Sequence, residues 1–275
     1  MRSIAIVVLS LLIAFPAGLM AQDPQAAPAP SATLTTPETA PVDVLAPNEQ
    51  LKPHSFVGEV LRDNKDLWLS PRRIQRSDTK WLLPLAGATG LLLVTDHDIS
   101  DAARNNEALR QPSHFVSNFG SLYALGSAAG AFYGVGKLTH NKRATDTGRL
   151  GGEALLQTEI VVQGLKFLFN RTRPSGGGLS FPSGHAASSF AFATVVAEQY
   201  HDKPLIAIGA YSAATAVSLS RIGGLNHFPS DVLVGATIGT LIGRFVVHHN
   251  HDNAPSLSHS DNEAQAPLSR QEKPD

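Results

Sequence analysis

The sequence predicts an all-α fold, a bundle of about six main helices. Two observations carry this. Long apolar blocks alternate with short polar breaks, and the blocks lack the two-residue alternation of a half-buried strand. The blocks are also rich in Ala, Gly and Leu, with a small residue near every fourth position, which suits helices whose backbones approach closely. No internal repeat is visible.

Taken in order, the first residues, MRSIAIVVLSLLIAFPAGLMAQ, carry one Arg, an apolar run and small residues ending at Ala21. That three-part form reads as a secretory signal over 1–21, and an uncleaved anchor is the alternative. Residues 22–54 are rich in Pro, Ala and Thr with no periodic apolar face, and read as an extended linker. The amphipathic segment FVGEVLRDNKDLWLSPRRIQR follows and is expected to lie across the bundle. The main helices are expected near Trp81–Thr95, Phe115–Gly136, Gly152–Asn170, His185–Tyr200, Leu205–Leu219 and Asp231–His249. Residues 251–275 form a polar tail, so the folding unit is expected over 55–250.

Composition narrows the function. The 275 residues hold 22 Lys and Arg against 23 Asp and Glu, so no global basic field supports nucleic-acid binding. Cysteine is absent, which excludes disulfides, thiolate metal sites and cysteine nucleophiles. The sequence leaves the membrane question open. Of the blocks, only 115–136 reaches spanning length without a charge, and Gly152–Asn170 carries Glu153, Glu159 and Lys166. Six spanning helices from a cytoplasmic start would obey the positive-inside rule. The short, Glu-bearing helices and the signal-like start favour an exported helical globule instead.

Three clusters of chemistry interrupt the apolar pattern. In KFLFNRTRP, Lys166 and Arg173 are seven apart, expected on one face of a helix that Pro174 ends. In PSGH, Ser183 and Gly184 open a helix, where free N–H groups and the positive dipole end attract an anion. His185 follows and suits a proton donor. In SRIGGLNHFPSD, Arg221 offers a planar fork to two phosphate oxygens. His227 and Asp231 are four apart, a spacing that brings the carboxylate to Nδ1–H and leaves Nε2 as a nucleophile. Together the cations and donors point to a tetrahedral dianion, held without Mg²⁺. The GGG at 176–178 is expected to give slack between the first two clusters. His248, His249 and His251 read as a solvated helix end rather than a metal site.

This joint pattern resembles the superfamily of type 2 phosphatidic acid phosphatases and vanadium haloperoxidases, whose signature is K-x6-RP, PSGH and SR-x5-H-x3-D. The chain matches each element, with Lys166, Arg173-Pro174, Pro182 to His185, and Ser220-Arg221 to His227 and Asp231. The resemblance implies that His227 attacks phosphorus and forms a phosphohistidine while Asp231 orients it. It implies that His185 protonates the leaving oxygen, and that Lys166, Arg173, Ser183, Gly184 and Arg221 hold the phosphoryl oxygens. It implies a helical bundle and, for the phosphatases, no cofactor. The expected partner is a phosphorylated substrate, a lipid phosphate or diphosphate, met outside the cytoplasm in the periplasm or at the periplasmic face of the inner membrane. A broad-specificity soluble acid phosphatase and a vanadate-loaded haloperoxidase are the alternatives that the motifs leave open.

Overall fold

A computed structural model describes residues 79–252, and all seven elements in that span are helices. They are α1 (Thr79–Arg104), α2 (Glu107–Asn118), α3 (Leu122–Leu138), α4 (Lys142–Phe169), α5 (Gly184–Gln199), α6 (Pro204–Gly223) and α7 (Pro229–Asp252). The all-α expectation holds. The signal-like start, the Pro-rich linker, the amphipathic segment 56–76 and the tail beyond Asp252 lie outside the described residues.

Three boundaries differ from the sequence reading, the first being that α1 runs on to Arg104, nine residues past Thr95. The block 115–136 is not one helix. The chain breaks at Phe119–Ser121, and Ser121 Oγ caps α3 by accepting from the Ala124 amide at 3.2 Å. Helix α4 begins ten residues earlier than Gly152, capped by Asn141 Oδ1 on the Ala144 amide. Its first turns bury Ala144, Gly148 and Gly151, too small to register as an apolar stripe.

Helices α5 and α7 pack at the centre because α7 presents glycine every fourth residue. A Cβ at Gly235 would meet the Ser183 carbonyl oxygen at 2.4 Å, at Gly239 the Ala187 oxygen at 1.9 Å, and at Gly243 the Ala191 oxygen at 2.6 Å. Only glycine allows this backbone approach. Around the seam, Leu165, Phe169, Phe181, Val195, Val234, Ile238 and Ile242 form one core. Phe169 and Phe181 meet edge to face at 5.0 Å, which joins the end of α4 to the loop before α5.

The outer surface is apolar as well. Leu91, Val94, Phe115, Leu138, Phe167 and Leu205 are each at least 66% exposed, spread over α1 to α4 and α6. Among the described residues two helices, α6 and α7, are long and apolar enough to cross a membrane, whereas the 115–136 block expected to be long enough is broken. The spanning window of α7 is 67% buried and suits a core helix; that of α6 is 22% buried and turns most of its apolar surface outward.

Candidate active site

The site is built where four segments meet: the end of α4 with the loop after it, the start of α5, the end of α6 and the α6–α7 connection. Helix α4 stops at Phe169, and Asn170 ends it in the left-handed region (φ 37°), donating its amide to the Lys166 carbonyl at 2.9 Å. Arg173 therefore lies in a loop, not on the helix face it was expected to share with Lys166. The glycines that follow do not give slack. Gly176 and Gly177 hold positive φ in a closed turn, where the Arg173 amide donates to the Gly177 carbonyl and the Gly176 amide donates to the Arg173 carbonyl.

The turn still brings Arg173 to the other cations. Lys166, Arg173 and Arg221 lie within one another's electrostatic reach and within reach of His185. Burial, and then Arg173, lower the Lys166 ammonium to about 8. Its Nζ donates to the Leu179 carbonyl at 2.6 Å, which fixes the side chain under the loop. Arg221 is buried near the end of α6, and its Nη1 donates to Ser117 Oγ of α2. The Nε atoms of Arg173 and Arg221 are buried without a protein acceptor. Ser183 caps α5, its Oγ accepting from the Ala186 amide at 3.4 Å, so the Gly184–His185 turn opens with free amides.

His227 is 2% exposed and sits on the α6–α7 connection. Its Nδ1 lies 2.6 Å from the Ser180 carbonyl oxygen, an atom that can only accept. The neutral ring must then carry its proton on Nδ1, and Nε2 keeps its lone pair. Asp231, expected to take that Nδ1–H, stands 3.8 Å away, beyond hydrogen-bond range. It acts on the ring through charge. Its Oδ1 accepts from Arg171 Nη1 at 2.6 Å, and its Oδ2 from Ser180 Oγ at 2.5 Å and the Phe228 amide at 2.9 Å. Burial is the main cause that lowers the His227 pKa, to about 4; the nearby Asp231 carboxylate opposes it. His185 is also lowered to about 4, by burial first and then by Arg221 and His227.

All eight expected site residues belong to this one region. Sequence reasoning missed the supporting residues Asp96, Ser117, Arg171, Ser180 and Ser230. Arg171 alone gave a signal, as a charge inside the first motif. Among the described residues no group of three His, Asp or Glu could hold a metal ion. The His249 ring stacks on Phe245 at 5.3 Å.

Residues 152–255 match the sequence model of the PAP2 superfamily, a stretch that includes all three motifs. That stretch is similar to the PAP2 superfamily. A crystal structure of the first transmembrane PAP2 type phosphatidylglycerolphosphate phosphatase, from Bacillus subtilis, shares the PAP2 fold. It has a TM-score of 0.53 and 22% identity, over 63% of this chain and 94% of that one. The Aquifex aeolicus LpxE structure aligns with a TM-score of 0.46 and 24% identity, over 55% of this chain and 93% of that one. Among curated proteins, the lipid A 1-phosphatase of Porphyromonas gingivalis is 41% identical over 80 residues, which is 28% of this chain and 18% of that relative. The similarity thus spans less than a fifth of the relative's length.

Proposed function

We propose that this chain is a phosphatase that hydrolyses a lipid-linked phosphomonoester or diphosphate through a phosphohistidine on His227. The observation that carries the reading is the bond from His227 Nδ1 to the Ser180 carbonyl, which leaves Nε2 as a bare nucleophile within reach of Arg221 and Lys166. Nε2 attacks phosphorus as the bond to the leaving oxygen breaks, and His185 gives that oxygen its proton. Water then attacks the phosphohistidine, His185 takes the water's proton, and the P–N bond breaks to restore His227. Lys166, Arg173, Arg221 and the Gly184–His185 amides hold the equatorial oxygens and stabilise the transition-state charge, while the Ser183 amide, expected to join them, donates instead to the Asp231 carbonyl. His185 is neutral in the empty site near pH 7. A bound phosphoryl dianion raises its pKa and supplies the proton donor.

Three features support a lipid substrate. The curated relative that is 41% identical over 80 residues is named for a phosphate on lipid A. The outer faces of α1, α2 and α6 are apolar enough to contact a bilayer. A cavity of about 440 Å³ between α3 and α4 lies away from the motifs, but a second, of about 630 Å³, is lined by Ile99, Leu109, Val116, Leu219 and Gly223 and flanks Arg221. An acyl chain fits its lining. We take 55–250 as the catalytic domain and, from the signal-like start, the periplasmic side as the place of action.

Purified full-length protein should release inorganic phosphate from short-chain phosphatidic acid in the presence of EDTA. His227→Ala should abolish release, and retention of activity by this variant would refute the reading.

A further inference from the structure

We infer that Asp96 and Arg171 are positioning residues for His227, acting through Asp231; the inference rests on His227 being the nucleophile. Arg171 and Arg173 are two apart in a non-helical segment. Arg173 joins the phosphate-facing cations. Arg171 is 5% exposed, and each of its terminal nitrogens is engaged by a buried carboxylate. Nη1 meets Asp231 Oδ1 at 2.6 Å and Ser230 Oγ at 2.8 Å; Nη2 meets Asp96 Oδ2 at 2.7 Å. The guanidinium lies 4.2 Å from the centre of the Phe228 ring, and His97 meets the same ring edge to face at 5.1 Å. Asp96 accepts from the Ser230 amide at 3.0 Å and from Ser230 Oγ. Residues 228, 230 and 231, which follow the nucleophile directly, are thereby clamped by α1 and the Arg171 segment.

The charges matter as much as the contacts. Two carboxylates face one guanidinium, so the network carries one excess negative charge, 3.8 Å from Nδ1 of His227 at its nearest bonded partner. When Nε2 bonds to phosphorus the imidazole becomes cationic, and that excess charge stabilises it. No member of the Asp96–Arg171 pair belongs to the phosphate cradle, so the pair should act on turnover and leave binding alone. Asp96 lies outside residues 152–255, so the family match does not assign it a role.

The test compares Asp96→Asn and Arg171→Gln, singly and together, in the full chain. The substrate is para-nitrophenyl phosphate, with inorganic phosphate as inhibitor. Asp96→Asn should lower kcat by about 30-fold or more, with KM and the phosphate Ki within about twofold. The double variant should lose little beyond the worse single variant, because the residues act as a unit. Ser230→Ala, a milder change, should lower kcat about 3- to 10-fold at unchanged KM and serves where a buried-charge variant fails to fold. A folded Asp96→Asn or Ser230→Ala variant with wild-type kcat would overturn the inference. So would a kcat loss matched by an equal loss of phosphate binding, which marks a merely structural role. An active His227→Ala sinks the underlying reading instead; an inactive His227→Ala beside a fully active Asp96→Asn sinks this inference alone.

Discussion

The Nδ1 atom of His227 lies 2.6 Å from the carbonyl oxygen of Ser180, and the Oγ of the same serine donates to Asp231 at 2.5 Å. One residue therefore holds both the imidazole and the carboxylate beside it. Its backbone sets the tautomer and its side chain fixes the charge.

Ser180→Ala keeps the carbonyl and removes the hydroxyl. Asp231 Oδ2 retains only the Phe228 amide, so a buried carboxylate loses a charge-assisted partner. Unfolding free energy should fall by roughly 1.5–3 kcal/mol, read by denaturant titration. The tautomer should survive, since the carbonyl remains.

Stability should depend on pH through His227. Its folded pKa is about 4 and its unfolded value about 6.5, so the unfolded chain binds a proton that the folded chain refuses between those values. Folded-state stability is therefore complete above about pH 6.5 and declines as pH falls towards 4, by about 1.4 kcal/mol per unit at most. A variant lacking this imidazole, His227→Gln, should show a flatter acid limb in denaturant midpoints across that window.

Occupancy of the phosphate cradle should change the protonation of His185. Burial and the neighbouring cations hold it to about 4 in the empty site. A dianion placed among Lys166, Arg173 and Arg221 reverses that field. Binding of inorganic phosphate near pH 6 should take up a proton, seen in titration calorimetry as a heat that varies with buffer ionisation enthalpy. His185→Asn should remove most of that dependence.

Ser117→Ala frees Arg221 from the hydroxyl on α2 that holds its Nη1. The guanidinium keeps its charge but loses its aim. Phosphate Ki and substrate KM should both rise, by about 10-fold, while kcat changes less.

Gly239→Ala places a Cβ where the Ala187 carbonyl already sits. The α5–α7 seam must open, at a cost of about 1–3 kcal/mol or more. The same seam carries the Ser183 amide to the Asp231 carbonyl at 3.0 Å, so thermal midpoint and activity should fall together.

Much of the site was legible because the motif residues are polar breaks in apolar sequence. Lys166, His185, Arg221 and His227 have no bland role among such neighbours. The helices were legible where an apolar run is bounded by polar motif residues, as in α5 and α7. They were misread where small residues mark the buried face, as at the start of α4, and where a Gly-Ser pair splits one apolar block into α2 and α3. The partner of Nδ1 was beyond sequence reasoning, since a backbone carbonyl 47 residues away leaves no residue signature. Asp96 was hidden for a related reason. It lies one residue past the expected end of its helix and meets Ser230 and Arg171 only through tertiary packing.

The central claim is a covalent bond from phosphorus to His227. Full-length protein mixed with a ³²P-labelled phosphomonoester, and quenched in alkali within milliseconds, should yield protein-bound label that is stable to base and labile to acid. Peptide mapping should place that label on His227, and none should form in His227→Ala. Turnover without any protein-bound label, or label on another residue, would contradict the account.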